Sequence, residues 1–328
     1  ACGVAFEKPA GGSAPEFVNI DAILSAGGLT AETPRPLKLK RLPDKPLEAV
    51  TIACSSPSGT TGNGTANYAW TAAFRVGVKD LEIQVRQTLQ MQEAWLGKHV
   101  TFDATADAAA APQAWAYVKQ SAGSWVYWRT SDSSWQPLPR AIGSYTVVNT
   151  VFIKSGSEYV NRKNASNKWP EAFVRDANYE SKRTAWLANI HDSWDKRFQL
   201  RNKDCPGDGP GLCSWNIDFK CEWSDTSGDK KVYGISAQAW ERSNAEDWYL
   251  SEDRLGVAGH ECGHLLAAFD EYTGGATDPA DPQIVPGSLM GQNLGTSEPR
   301  HLNRFRDKMK EKINGWIGRD WNLEIVKR

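Results

Sequence analysis

The chain has no apolar run approaching the roughly 18 residues that a membrane-crossing helix needs, so no transmembrane span is expected. Its net charge is only −1 over 328 residues, which gives no electrostatic case for a nucleic-acid or membrane-surface partner. The opening residues lack a basic stretch followed by an apolar one, so no signal peptide is expected within them. No internal repeat is evident. Histidine and methionine are scarce, at five and three residues, and no tyrosine follows Tyr272. That scarcity gives weight to any place where histidines gather.

What is present reads as a globular chain, with 40% hydrophobic and 23% charged residues. There are six cysteines: Cys2, Cys54, Cys205, Cys213, Cys221 and Cys262. Cys205 and Cys213 flank a Pro/Gly-rich loop and are the favoured disulfide pair. Their spacing is too long for a zinc knuckle. An oxidising destination follows, with the protein secreted or delivered outside the producing cell.

Residues 1 to about 65 are rich in Pro, Gly, Ser and Thr and read as extended chain with one strand at 47–53. The segment Ile83 to Trp95 fits a strand or a helix. Trp115, Trp125, Trp128 and Trp135 lie in short aromatic stretches that suggest β-hairpins. A packed β core is favoured for them over an exposed sugar platform. From about Ile142 the pattern becomes regular. Strands are expected at 145–153, 197–201, 215–223 and 231–235. A helix is expected over 180–194, with Trp186, Ile190 and Trp194 on one face. Ser251 is the expected N-cap of a helix through His260, with Glu252 and Asp253 in its first turn. A last helix is expected over 299–316, striped by Leu302, Phe305, Met309, Ile313 and Trp316. The fold class is α+β.

His260-Glu261-Cys262-Gly263-His264 carries the chemistry. Two histidines four apart on a helix project from one face, one turn apart. Two imidazoles held so can fill two corners of a zinc tetrahedron. Glu261, beside the first, is placed to act as general base towards an activated water. With five histidines in the chain, a chance match is expected well under once. Cys262 points off the zinc face and reads as a small core residue or a disulfide half. A third ligand is needed, and Leu265-Leu266-Ala267-Ala268-Phe269-Asp270-Glu271-Tyr272 follows.

Here the chain resembles the metzincin clan of zinc endopeptidases, whose long motif is HExxHxxGxxH, with aspartate as the last ligand in the snapalysin-like branch. Asp270 falls at that final position. Where the family has a glycine turn this chain has Ala267. Positive φ strains alanine, so a differently shaped turn is expected. Glu271 is the next candidate ligand, and a similar Asp-Glu-Tyr, ending here in Tyr272, follows the helix in another metallopeptidase family that cleaves immunoglobulin A. Asp278, Asp281 and His301 are more distant alternatives. Ser288-Leu289-Met290-Gly291 looks like the family's Met-turn. Some members add a tyrosine after that methionine, which this chain lacks. Arg300 and His301 are candidates for substrate or transition-state contacts.

The resemblance covers roughly 142–316. It implies Zn2+ as cofactor, a metzincin-like catalytic domain over 141–328 and a protein or peptide substrate. Residues 1–140 remain as a β-rich accessory or pro-region, able to contact carbohydrate or a delivery machine. Two other readings stay open. One is a secreted bacterial effector acting as an amidase on cell-wall peptide. The other is a non-catalytic binding protein holding a structural metal, against which the intact Glu261 argues.

Overall fold

Along Glu82–Thr101, Ile83, Val85, Gln87, Leu89 and Met91 fall on alternate positions and all are buried. A period of two is that of a strand with one face inward, which resolves the strand-or-helix ambiguity at Ile83 to Trp95 in favour of strand β5. A computed structural model describes residues 17–20, 37–40, 42–61, 64–110, 113–204, 213–318 and 320–328. Among them the architecture is mixed α+β, with a large, mostly antiparallel sheet and three α-helices. Strands β1 (Phe17–Ile20) and β2 (Leu37–Lys40) form a separate antiparallel pair. Cys2 and Cys205 lie outside the described residues. No described helix is long and apolar enough to cross a membrane.

The contacts divide the chain into two units, each assembled from separated stretches. The first comprises 1–87, 189–221 and 262–328. Its longest feature is the antiparallel hairpin of β3 (Lys45–Thr61) and β4 (Gly64–Lys79), and β4 continues into the start of β5 through a tight turn. Strands β12 (Phe198–Asn202), β13 (Ser214–Ser224) and β16 (Leu323–Lys327) pair antiparallel with β12 in the middle. Helix α3 (Asn303–Ile317) buries Phe305, Met309, Ile313 and Ile317. Trp316, expected in that stripe, is only half-buried. Four-residue steps from Phe305 reach Ile317, and Gly318 then stops the helix in the left-handed region at φ 63°.

The second unit comprises 88–188 and 222–261. The rest of β5 pairs antiparallel with β6 (Trp115–Ser121) and β9 (Val147–Ser155), and parallel with β14 (Lys230–Ser236). Strand β15 (Asp247–Tyr249) adds parallel to β14. Two meanders extend this framework: β6, β7 (Ser124–Arg129) and β8 (Ser134–Pro137), then β9, β10 (Glu158–Asn161) and β11 (Asn164–Ala172). The tryptophans of the hairpins divide. Trp128 and Trp135 pack on a core of Tyr117, Phe152, Tyr159 and Trp169, while Trp115 is 45% exposed.

Helix α1 (Tyr179–Trp194) buries Trp186, Ile190 and Trp194, the four-residue stripe expected from the sequence. Helix α2 (Val257–Leu265) starts later than expected. Ser251 does not cap it. The Glu252 carboxylate instead accepts the Ser243 backbone N–H at 2.6 Å and pairs with Arg254, which holds this stretch outside the helix. Gly256, at φ 90°, then turns the chain into α2.

Candidate metal centre

All three residues of the central motif lie on α2 and are buried: His260, Glu261 and His264. One ligand atom from each falls within 4.8 Å of the others, the one such group among the described residues. The helix by itself produces this, because residues four apart share a face. Nothing beyond α2 is needed to bring the three together.

The end of α2 supplies the next part. Ala268 N–H donates to Gly263 O at 2.9 Å, and Ala267 N–H donates to His264 O at 3.0 Å. This crossed pair is a Schellman ending, in which the first of the two donor residues in the chain adopts the left-handed conformation. Ala267 is that residue, at φ 71°. The expectation of a differently shaped turn is therefore corrected. Alanine adopts the left-handed conformation that glycine usually fills. Its methyl packs with Cys54, Ala72, Trp70 and Phe269, contacts that a glycine could not make.

The turn carries Asp270 back towards the helix. Asp270 Oδ1 stands 3.4 Å from His264 Nε2, and both residues are buried. The other carboxylate oxygen, Oδ2, accepts the Ala276 backbone N–H at 2.6 Å, and Asp270 N–H donates to Ala276 O at 2.9 Å. Gly275 is needed here. A Cβ on it would fall 2.6 Å from that of Asp270. On the histidine, Nδ1 lies 3.0 Å from Ala268 O, and since a carbonyl only accepts, Nδ1 carries a proton; in the neutral imidazole Nε2 is then the nitrogen that faces Asp270 with its lone pair.

A lone pair and a carboxylate facing each other at 3.4 Å suit a shared cation. Ligands about 2.0–2.1 Å from one tetrahedral zinc ion are themselves roughly 3.4 Å apart. Two imidazoles and a carboxylate are also the donor set of open catalytic zinc sites. The His264–Asp270 spacing and the donor types are those a zinc ion accepts, while the close cluster of ligand atoms on α2 itself is His260, Glu261 and His264.

Two supports come from far along the chain. Trp70 Nε1 donates to His264 O at 2.7 Å, and its ring meets the imidazole edge-on at 5.4 Å. Gln87, fully buried in β5, donates to Ala73 O and Leu265 O and accepts from Cys262 Sγ. Neither residue carried a local sequence signal. A polar residue in the apolar row of β5 was the one available hint, and for Trp70 there was none.

Met290 is fully buried under α2. A Cβ at Gly263 would sit 2.6 Å from Met290 Sδ, so the glycine permits this close approach. The turn around it closes with Gly291 N–H to Ser288 O at 3.1 Å.

The remaining candidates point elsewhere. Glu271 Oε1 and Oε2 accept Arg300 Nε and Nη2 at 2.7 and 2.9 Å, and Oε2 accepts Ser288 Oγ at 2.5 Å. Burial raises the Glu271 pKa, but hydrogen bonds from His301, Arg300 and Ser288 outweigh it and hold the carboxyl at about 2. His301 Nδ1 accepts the Glu298 backbone N–H at 3.0 Å. Asp278 pairs with Arg304 at 2.8 Å, and Asp281 accepts Gln283. Tyr272 is half-buried, and its carbonyl closes the turn to Gly275 N–H. A small cavity of about 40 Å³ opens beside Asp270, bordered by Phe269, Asp278, Arg300 and Arg304. Cys262 is a free buried thiol, as are Cys54 and Cys221, whereas Cys213 is disulfide-bonded.

No family model, no curated protein and no solved structure matches this chain.

Proposed function

We propose that this chain is a zinc-dependent endopeptidase of the metzincin type with an aspartate third ligand. The observation that carries the reading is the approach of Asp270 Oδ1 to His264 Nε2, one turn beyond a His-Glu-x-x-His helix. The left-handed turn at Ala267 and the methionine beneath the helix support it further.

In this reading His260, His264 and Asp270 would hold Zn2+. When bound, the ion supplies Lewis acidity, lowering the pKa of water towards neutrality and drawing charge from the scissile carbonyl. Glu261 accepts the proton of the attacking water and returns it to the departing nitrogen. Its burial keeps the carboxylate in a site with little competing solvent. Trp70 and the Ala268 carbonyl keep His264 in one orientation and tautomer. The disulfide at Cys213 supports work in an oxidising, extracellular setting.

The test is zinc content and cleavage of casein by the full chain, against Glu261→Gln. Wild type should contain about one zinc. The variant should keep it while cleavage falls by roughly 10²–10⁴-fold, the range of a positioned base. Metal-free folded protein would sink the reading. Activity on purified cell wall without activity on casein would move the substrate to cell-wall peptide.

A further inference from the structure

Glu271 bonds to three separate stretches of chain. Its carboxylate takes two hydrogen bonds from Arg300 and one from Ser288, and His301 Nε2 lies 3.3 Å from Oε2. Its backbone N–H donates to Met290 O at 2.8 Å, and its carbonyl accepts Val285 N–H at 2.9 Å. One residue therefore joins the turn under α2, the loop before that turn and the start of the last helical segment. Asp270, its neighbour, is hydrogen-bonded twice to Ala276. The 270–276 loop is thus closed at its ends, and Glu271 ties it to the segments around Ser288 and Arg300, with a longer bond from the Tyr68 hydroxyl to Gly274 O at 3.4 Å.

We propose that Glu271 is a positioning residue for the metal site, and that Arg300 and Ser288 serve to hold Glu271 rather than to touch substrate. The proposal rests on the reading of Asp270 as third ligand. Both Glu271 oxygens are engaged by neighbouring donors, which leaves the carboxylate poorly placed to ligate. Its Cα is one peptide, about 3.8 Å, from that of Asp270, so a shift of one moves the other. A displacement of an ångström is large beside the 3.4 Å gap that Asp270 must keep to His264. Residues that orient a ligand in this way change metal affinity by roughly 10–100-fold. The arrangement also accounts for Arg300 and His301 without a substrate. Each reaches the same carboxylate from one short segment.

The experiment is zinc affinity of the full chain, read by competition with a coloured chelator. Apo thermal stability and the visible spectrum of the cobalt-loaded protein are measured alongside. Glu271→Gln should weaken zinc by roughly 10–100-fold while leaving the ligand count seen by cobalt unchanged. Ser288→Ala, which removes one hydrogen bond to Glu271, should weaken zinc in the same direction by a smaller factor. It serves where Glu271→Gln folds poorly. Affinity within twofold of wild type in a folded variant overturns the proposal. So does loss of zinc and of a cobalt ligand equal to that in Asp270→Asn, because Glu271 would then be the ligand. Wild-type protein that binds no zinc overturns the functional reading itself. Unchanged affinity in Glu271→Gln, with zinc-binding wild type, overturns this inference alone.

Discussion

His264 Nε2 and Asp270 Oδ1 stand 3.4 Å apart, although a helix end and a reversal of the chain lie between them. The helix ends in a left-handed alanine, and the loop after it is closed by paired hydrogen bonds between Asp270 and Ala276. The proposed centre therefore depends on a turn as much as on a helix.

If Asp270 ligates, Asp270→Ala should weaken zinc by more than the roughly 10–100-fold typical of residues outside the coordination shell. Equilibrium dialysis against zinc buffers measures this. Affinity equal to wild type would remove Asp270 from the centre.

At Ala267 opposing effects nearly cancel. Left-handed backbone costs an L-residue about 1–2 kcal/mol. Glycine loses about 0.5–1 kcal/mol of that advantage to chain entropy, and removing the buried methyl costs a further ~0.8 kcal/mol. Ala267→Gly should accordingly change stability by less than about 1 kcal/mol. Ala267→Val combines branched strain with overpacking against Cys54 and Ala72 and should cost more than about 2 kcal/mol. Urea unfolding of the two variants decides between this account and a relaxed turn, in which both would be mild.

Trp70→Phe keeps a ring against His264 and Phe269 but removes the donor to His264 O. Stability should fall by about 1 kcal/mol, the usual net worth of one hydrogen bond. Zinc affinity should fall with it, since the hydrogen bond anchors the ligand's own carbonyl. A stability loss without any change in affinity would confine Trp70 to packing.

Acid sensitivity should trace in part to Asp107, remote in sequence from the motif. Hydrogen bonds from Arg140 depress its pKa below the ordinary 3.8, against burial, with help from the Asp103 backbone and Tyr145. A depressed folded-state value means the stabilisation is complete above the ordinary aspartate value. It is lost as pH falls from there through the lower folded-state value. Asp107→Asn should lower Tm by a few degrees at neutral pH and flatten the decline of Tm below pH 4. A wild-type acid limb that Asp107→Asn leaves unaltered would be evidence against this.

The legible parts of this protein are those set by local repeat. The four-residue spacing of His260 and His264, the stripe on α1 and the alternation along β5 follow from helix and strand geometry alone. The start of α2 was misread because Glu252 spends its carboxylate on Ser243 and Arg254 instead of on a helix N-terminus. The turn at Ala267 was misread because alanine rarely goes left-handed unless contacts compensate, and Cys54 and Ala72 lie about 200 residues away along the chain. The same distance hid Trp70 and Gln87.

The sequence by itself determined that two imidazoles and a carboxylate share one helix, since backbone geometry leaves residues at that spacing no other relation. Only the tertiary structure decided which of two adjacent acids faces the histidine. The motif spacing favours Asp270 and leaves Glu271 as the next candidate. Packing turns one towards His264 and the Ala276 N–H and closes the other on Arg300 and Ser288, because a buried carboxylate goes where donors satisfy it.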